Sequence, residues 1–146
     1  MARRLSERTQ AILFLVALVT IIAGLYGWAQ ASQPPPVPPN SVRDVSLLVD
    51  GGTWTIRYGP VTTTSNTAFL LLLEASQRLE FGLTWQNYTM PNGVFVMSIN
   101  GTSNTPTGPG WQYWVSTSYG NVASNLYPLS DGDSVTWRYV ADQGGA

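Results

Sequence analysis

The sequence predicts an α+β domain carried behind an apolar N-terminal helix. Three observations lead there. Residues 11–28 are uncharged and largely apolar. One strongly amphipathic helical segment, residues 68–79, stands among several short alternating runs. Those runs are separated by Gly, Pro, Asn and Asp turn residues.

The first segment reads AILFLVALVTIIAGLYGW. As a helix its span is about 27 Å, against a bilayer hydrocarbon core of about 30 Å. Ala11, Leu15, Leu18, Ile22, Leu25 and Trp28 mark it as a membrane anchor. Arg3, Arg4 and Arg8 precede it and no basic residue follows before Arg43. That asymmetry places the N-terminus in the cytoplasm and the C-terminal domain outside. A signal peptide cut after Ala31, at the A-x-A site Ala29-Gln30-Ala31, has the same topology and gives a secreted protein instead. Residues 1–31 are thus anchor or signal peptide. Residues 32–42 hold five prolines in six positions and read as a polyproline II spacer.

The globular part is expected over residues 43–141, with a tail at 142–146. Val45, Leu47 and Val49 alternate, Asp50-Gly51-Gly52 turns, and Trp54, Ile56 and Tyr58 alternate again, which makes a β-hairpin that Gly59-Pro60 ends. Thr64, Ser65, Asn66 and Thr67 are all suitable N-caps for the helix that follows. On that helix Ala68, Leu71, Leu72, Ala75 and Leu79 share one stripe, so it packs on a sheet. Residues 80–85 form a weak strand and 86–93 a loop. Residues 94–99 form a strand with Phe95, Met97 and Ile99 on one face and Val94 and Val96 on the other. Asn100-Gly101 supplies a positive-φ hairpin pair. Residues 111–116 and 135–140 complete the strands, joined through the Asp131-Gly132-Asp133 turn. A helix on one face of a small mixed sheet is α+β of the β-grasp-like kind. Trp54, Trp85 and Trp137 are assigned to the core.

The composition excludes more than it identifies. The chain has no cysteine, histidine or lysine and a formal charge of -1. This removes thiolate and imidazole metal sites, the usual general base, Schiff-base chemistry and any basic nucleic-acid footprint. No catalytic residue is assigned. Glu74 and Glu80 do not frame a glycosidase cleft, and Asp131 and Asp133 lack the spacing of a calcium loop.

The ordered set Ile99-Asn100-Gly101, Gly110-Trp111-Gln112-Tyr113-Trp114-Val115, Tyr127-Pro128-Leu129, Asp131-Gly132-Asp133 and Val135-x-Trp137-x-Tyr139 resembles the C-terminal domain of transcobalamin and intrinsic factor. It looks closer still to the bacterial and archaeal surface-protein domain-of-unknown-function family of that type. The resemblance spans about residues 43–140. It implies a β-grasp-like fold, export, and a tie to cobalamin, which in the vitamin carriers is bound with a separate helical barrel. Many members carry Asn-Gly where this chain has Ser116-Thr117-Ser118.

Trp111, Tyr113 and Trp114 are the candidate ligand-binding residues, because aromatic rings stack on sugars or a corrin edge. Asn87 and Asn100 head N-glycosylation sequons. The expected function is a membrane-tethered, non-catalytic binding module. Its partner would be a small ligand, a glycan or another envelope protein. A structural protein assembling through edge strands is the alternative, and cobalamin-related binding a further one.

Overall fold

The structure, a computed structural model, describes residues 7–31, 40–90 and 92–141. The chain divides into two units, Met1–Val37 and Pro38–Ala146. Residues 32–39 of the expected polyproline spacer and the tail at 142–146 lie outside the described residues; Val42, expected at the end of the spacer, instead opens the first strand.

In the first unit, α1 (Glu7–Ala31) extends the apolar run at both ends. Its span Gln10–Trp28 makes it the one helix among the described residues that is long and apolar enough to cross a membrane. Its large apolar side chains are exposed around the whole circumference. The Thr20 hydroxyl donates to the Val16 carbonyl at 2.6 Å, so this polar group is satisfied within the helix.

The second unit contains β1 (Val42–Asp50), β2 (Thr55–Thr63), α2 (Ala68–Arg78), β3 (Leu83–Thr89), β4 (Asn92–Ile99), β5 (Thr102–Ser103), β6 (Gly110–Val115), β7 (Ser118–Tyr119) and β8 (Ser134–Val140). One sheet has the order β2-β1-β8-β6-β7, the other β3-β4-β5. The first is mixed, since β1 and β8 run parallel while its other pairs are antiparallel. The core gathers Val45, Leu47 and Val49 of β1, Val135 and Trp137 of β8, and Leu71, Leu72 and Ala75 of α2. Each fully buried aliphatic side chain stabilises the fold by about 1.5–3 kcal/mol.

Of the four cap candidates, Thr67 serves; its hydroxyl accepts from the Leu70 amide at 3.2 Å. Beyond the Leu79 cap, Glu80 takes φ 56° and the Phe81 amide donates to the Ser76 carbonyl at 3.1 Å. That is a Schellman exit. It leaves Leu79 exposed, off the buried stripe where the periodicity placed it.

Other expectations also need correction. Gly59-Pro60 does not end the second strand. The register jumps from Leu47↔Tyr58 to Val45↔Val61, so a bulge absorbs the pair. Gly59 has φ +92°, and a Cβ there would sit 2.6 Å from the Val45 carbonyl oxygen. Proline is tolerated because β2 is an edge strand. Residues 86–89 are strand rather than loop, pairing from Gln86↔Phe95 to Thr89↔Asn92. Trp85 is not core: it is 40% exposed and meets Phe69 edge-on at 5.4 Å. Ile99 does not share a face with Phe95 and Met97. The register shift between Thr84↔Ser98 and Trp85↔Val96 breaks the alternation, so Val96 and Ile99 are buried while Phe95 and Met97 are exposed. The Asn100-Gly101 turn forms as expected, with φ 47° and 79°. Ser116, at φ 54°, turns β6 into β7.

The two sheets meet where β4 and β6 face each other without pairing. Asn104 stands between them. Its Oδ1 accepts from the Trp111 amide at 2.8 Å, and its Nδ2 donates to the Val96 carbonyl at 2.8 Å. The Trp111 indole N–H reaches the Thr102 carbonyl at 2.8 Å, and the Tyr139 hydroxyl reaches Ser103 O at 2.8 Å. Asn104→Ala orphans a donor and an acceptor together and should cost about 1–3 kcal/mol. Urea denaturation of the variant checks this; an unshifted midpoint would show that the bridge is dispensable.

Candidate functional site

A half-open cavity of about 160 Å³ lies between the facing strand edges. Val94 and Val96 of β4 and Trp111 and Tyr113 of β6 line it, with Trp137 of β8 and residues from Tyr119 to Ser124. Trp111 and Tyr113 are each 7% exposed. Strand alternation turns both inward, where Trp111 meets Trp54 at 5.8 Å and Tyr139 at 5.3 Å, and Tyr113 meets Trp137 at 5.2 Å and Tyr127 at 6.0 Å. A shallower hollow of about 490 Å³ adjoins the cavity, sharing Tyr119, Gly120, Val122 and Ala123 with it.

The segment after β7 closes this site because its polar groups are tied on three sides. The Tyr113 hydroxyl donates to the Val122 carbonyl at 2.5 Å. The Val94 amide donates to Asn125 Oδ1 at 2.8 Å. The α2 amides of Ala68 and Phe69 donate to the carbonyls of Tyr127 and Ser124 at 3.2 and 3.0 Å, satisfying two groups that a helix start leaves open. Gly120 lies flat on the Tyr113 ring; a Cβ there would be 2.1 Å from Cζ. Two polar atoms of residues bordering the cavity, Ser124 Oγ and Trp137 Nε1, have no hydrogen-bond partner.

Trp114 points to the other face of the sheet. There it meets Tyr119 at 5.5 Å and lies under the Arg138 guanidinium at 5.4 Å. The three aromatic candidates therefore do not form one surface: Trp111 and Tyr113 wall the cavity, and Trp114 belongs to the open face. Asn87 lies on β3, not in a loop, and Asn100 lies in its turn; both are exposed.

The acidic residues act as staples. Glu74 accepts from the Tyr58 hydroxyl at 2.7 Å and from the Thr63 hydroxyl. Burial pushes its carboxyl up, but hydrogen bonds from Ser65, Thr63 and Tyr58 and the Arg78 charge outweigh that and hold it below its ordinary range. Asp131 accepts from the Arg43 amide, and Asp133 from the Ser116 hydroxyl and the Ser130 amide. Among the described residues no group of three His, Cys, Asp or Glu side chains is placed to hold a metal ion.

Reading the aromatic strand alone misses Asn104, Asn125 and the Tyr119–Ser124 wall. A sequence signal for them exists: no Asp, Glu, Lys or Arg occurs anywhere in residues 81–130. That run supplies β3 to β7 and most of the cavity wall, so the site is uncharged.

Fold and site together define a small two-sheet α+β domain with an uncharged seam between its sheets. The chain belongs to the family described as a domain of unknown function (DUF4430), which matches residues 67–141. Two solved structures share the fold. One is a proposed metal binding protein from Ruminococcus gnavus ATCC 29149, with 15% identity and TM-score 0.53, covering 68% of this chain and 98% of that one. The other is haptocorrin in complex with Cbi, with 19% identity and TM-score 0.58, covering 76% of this chain but only 27% of haptocorrin. The resemblance to the transcobalamin C-terminal domain holds for the fold. No curated protein matches the chain.

Burial, then the neighbouring Tyr127 and Tyr119, push the Tyr113 hydroxyl up to about 12. A raised folded-state value means the associated stability is complete below the unfolded value of about 10 and is lost as pH rises through about 12. Wild type should therefore exceed Tyr113→Phe in stability at pH 8, and that advantage should shrink as the pH passes from 10 toward 12. Denaturant midpoints of both proteins across that range measure it. A constant difference would place the hydroxyl outside the buried network.

Proposed function

We propose that this chain is a membrane-tethered, non-catalytic binding module that holds an uncharged ligand at the seam between its two sheets. The observation that carries this reading is the aromatic-walled cavity, most of whose wall comes from the charge-free residues 81–130. A charged ligand would lose its hydration there without meeting an opposite charge, at a cost of several kcal/mol. A neutral ring or glycan unit loses less and gains contact with aromatic faces.

The volume narrows the choice. A cavity near 150 Å³ is known to hold a molecule of benzene size, whereas pockets that enclose drug-sized ligands run to about 300–1,000 Å³. A corrin would meet a surface of this domain and not be enclosed by it. In this reading Trp111 and Tyr113 serve as the inner wall. Trp114 and Arg138 offer a second surface, on the other face of the sheet, to a glycan or an envelope partner, with Tyr119 shared between it and the cavity wall.

The tether is α1. The arginines before it favour a cytoplasmic N-terminus and an external domain; cleavage after Ala31 would release the same domain. The absence of histidine, cysteine and lysine supports a non-catalytic role, as does the engagement of Glu74, Asp131 and Asp133 in structural hydrogen bonds.

Native mass spectrometry of the full chain extracted gently from its own membranes tests this. Wild type should carry a small uncharged molecule. Val122→Trp, which fills the shared mouth from its exposed side, should lose that molecule while keeping its melting temperature. The same bound mass on both, or none on either, would contradict a seam site. An intact N-terminal mass in that spectrum supports the anchor, whereas a chain beginning at Ser32 supports secretion.

A further inference from the structure

The four outer strands of the two sheets are not alike. A free strand edge is a template for pairing with another chain, and proteins blunt it with charge, proline, bulges or brevity. β5 and β7 have two residues each. β2 carries Arg57 and is broken by the Gly59-Pro60 bulge. β3 has none of these defences. It is seven residues long, reads LTWQNYT, and six of its residues are exposed. It contains no charge and no proline. Its register shift lies at one end, between Thr84 and Trp85, and pairing is regular from Trp85 to Thr89. Beside it, Tyr88 and Phe95 meet at 6.4 Å on an exposed face.

We propose that β3 pairs antiparallel with β3 of a second copy of this chain, joining two three-stranded sheets into one continuous sheet across a two-fold axis. The charge pattern selects a second copy as the occupant. In an isologous contact each residue near the axis faces itself or a near neighbour. A charged strand would confront its own charge there, and directly opposed like charges destabilise a sheet. Neither β3 nor its partner β4 carries any charge. Pairing centred on Gln86 sets Trp85 against Asn87 and Tyr88 against Thr84. It satisfies the free backbone edge and extends the Tyr88–Phe95 surface over the join. This interface is independent of the seam cavity.

The chain has no cysteine, so single-cysteine cross-linking reads the contact directly. Directly opposed side chains in an antiparallel pair hold their Cβ atoms about 4.5–5.5 Å apart, within small adjustments of disulfide geometry. The full chain would be reconstituted in lipid vesicles as Gln86→Cys and, as a control, as Thr55→Cys on the β2 edge. Under mild oxidation, Gln86→Cys should double its mass on a non-reducing gel and Thr55→Cys should not. Adding Asn87→Lys to the Gln86→Cys chain should suppress the dimer. Equal cross-linking at both positions, none at either, or a dimer indifferent to Asn87→Lys would overturn the proposal.

Discussion

Two strand edges face each other in this domain without pairing, and the side chain of Asn104 stands where ladder hydrogen bonds would otherwise run. Its amide offers one acceptor to β6 and one donor to β4, so it mimics a peptide group at the join. Buried backbone groups must be satisfied. Without such a bridge the sheets would have to close into full pairing or leave the edges open. The bridge holds them near each other at the Trp111 end and leaves the remaining seam to side chains. The cavity follows from that constraint. It is the interval between two sheets that touch at one end and are covered at the other by the segment after β7.

That cover explains why the helix and the seam are coupled. The same short segment satisfies two α2 amides through Ser124 and Tyr127 and one β4 amide through Asn125, and it receives the Tyr113 hydroxyl. Helix docking, strand position and cavity wall therefore rest on one set of hydrogen bonds. A ligand entering near Val122 would press on groups that also hold α2 in place. The charged residues of the domain are turned to other tasks. Glu74 ties α2 to β2, and Asp131 and Asp133 fasten the turn into β8 against Arg43 and Ser116.

Much of the fold was legible in the sequence because local rules and tertiary packing agreed. The alternation through Val45, Leu47 and Val49, the helical stripe from Ala68 to Ala75 and the Asn100-Gly101 turn all appear as read. The misreadings occur where a bulge shifts the period. Met97 lies at such a shift, so Ile99 rejoins the face of Val96 and a strict count of two misplaces it. Gly59-Pro60 reads as a strand end, yet an edge position lets the chain kink and continue. Trp85 reads as core because tryptophan usually is; its strand lies at a sheet edge, where Phe69 meets it edge-on and leaves it part exposed. The candidate site was half legible. The aromatic alternation separated Trp111 and Tyr113 from Trp114. Asn104 and Asn125 could not be found from local pattern, because their roles depend on strands far away in sequence.

Amide hydrogen exchange measures the seam most directly. Among the described residues no strand pairs with the Trp111 and Val94 amides on the side where Asn104 and Asn125 accept from them. If Asn104 bridges the sheets and Asn125 ties the covering segment to β4, those amides should exchange as slowly as the ladder amides of β1 and β8. If they exchange at the rate of an open strand edge, the sheets are not joined through these side chains, and the cavity loses its physical cause.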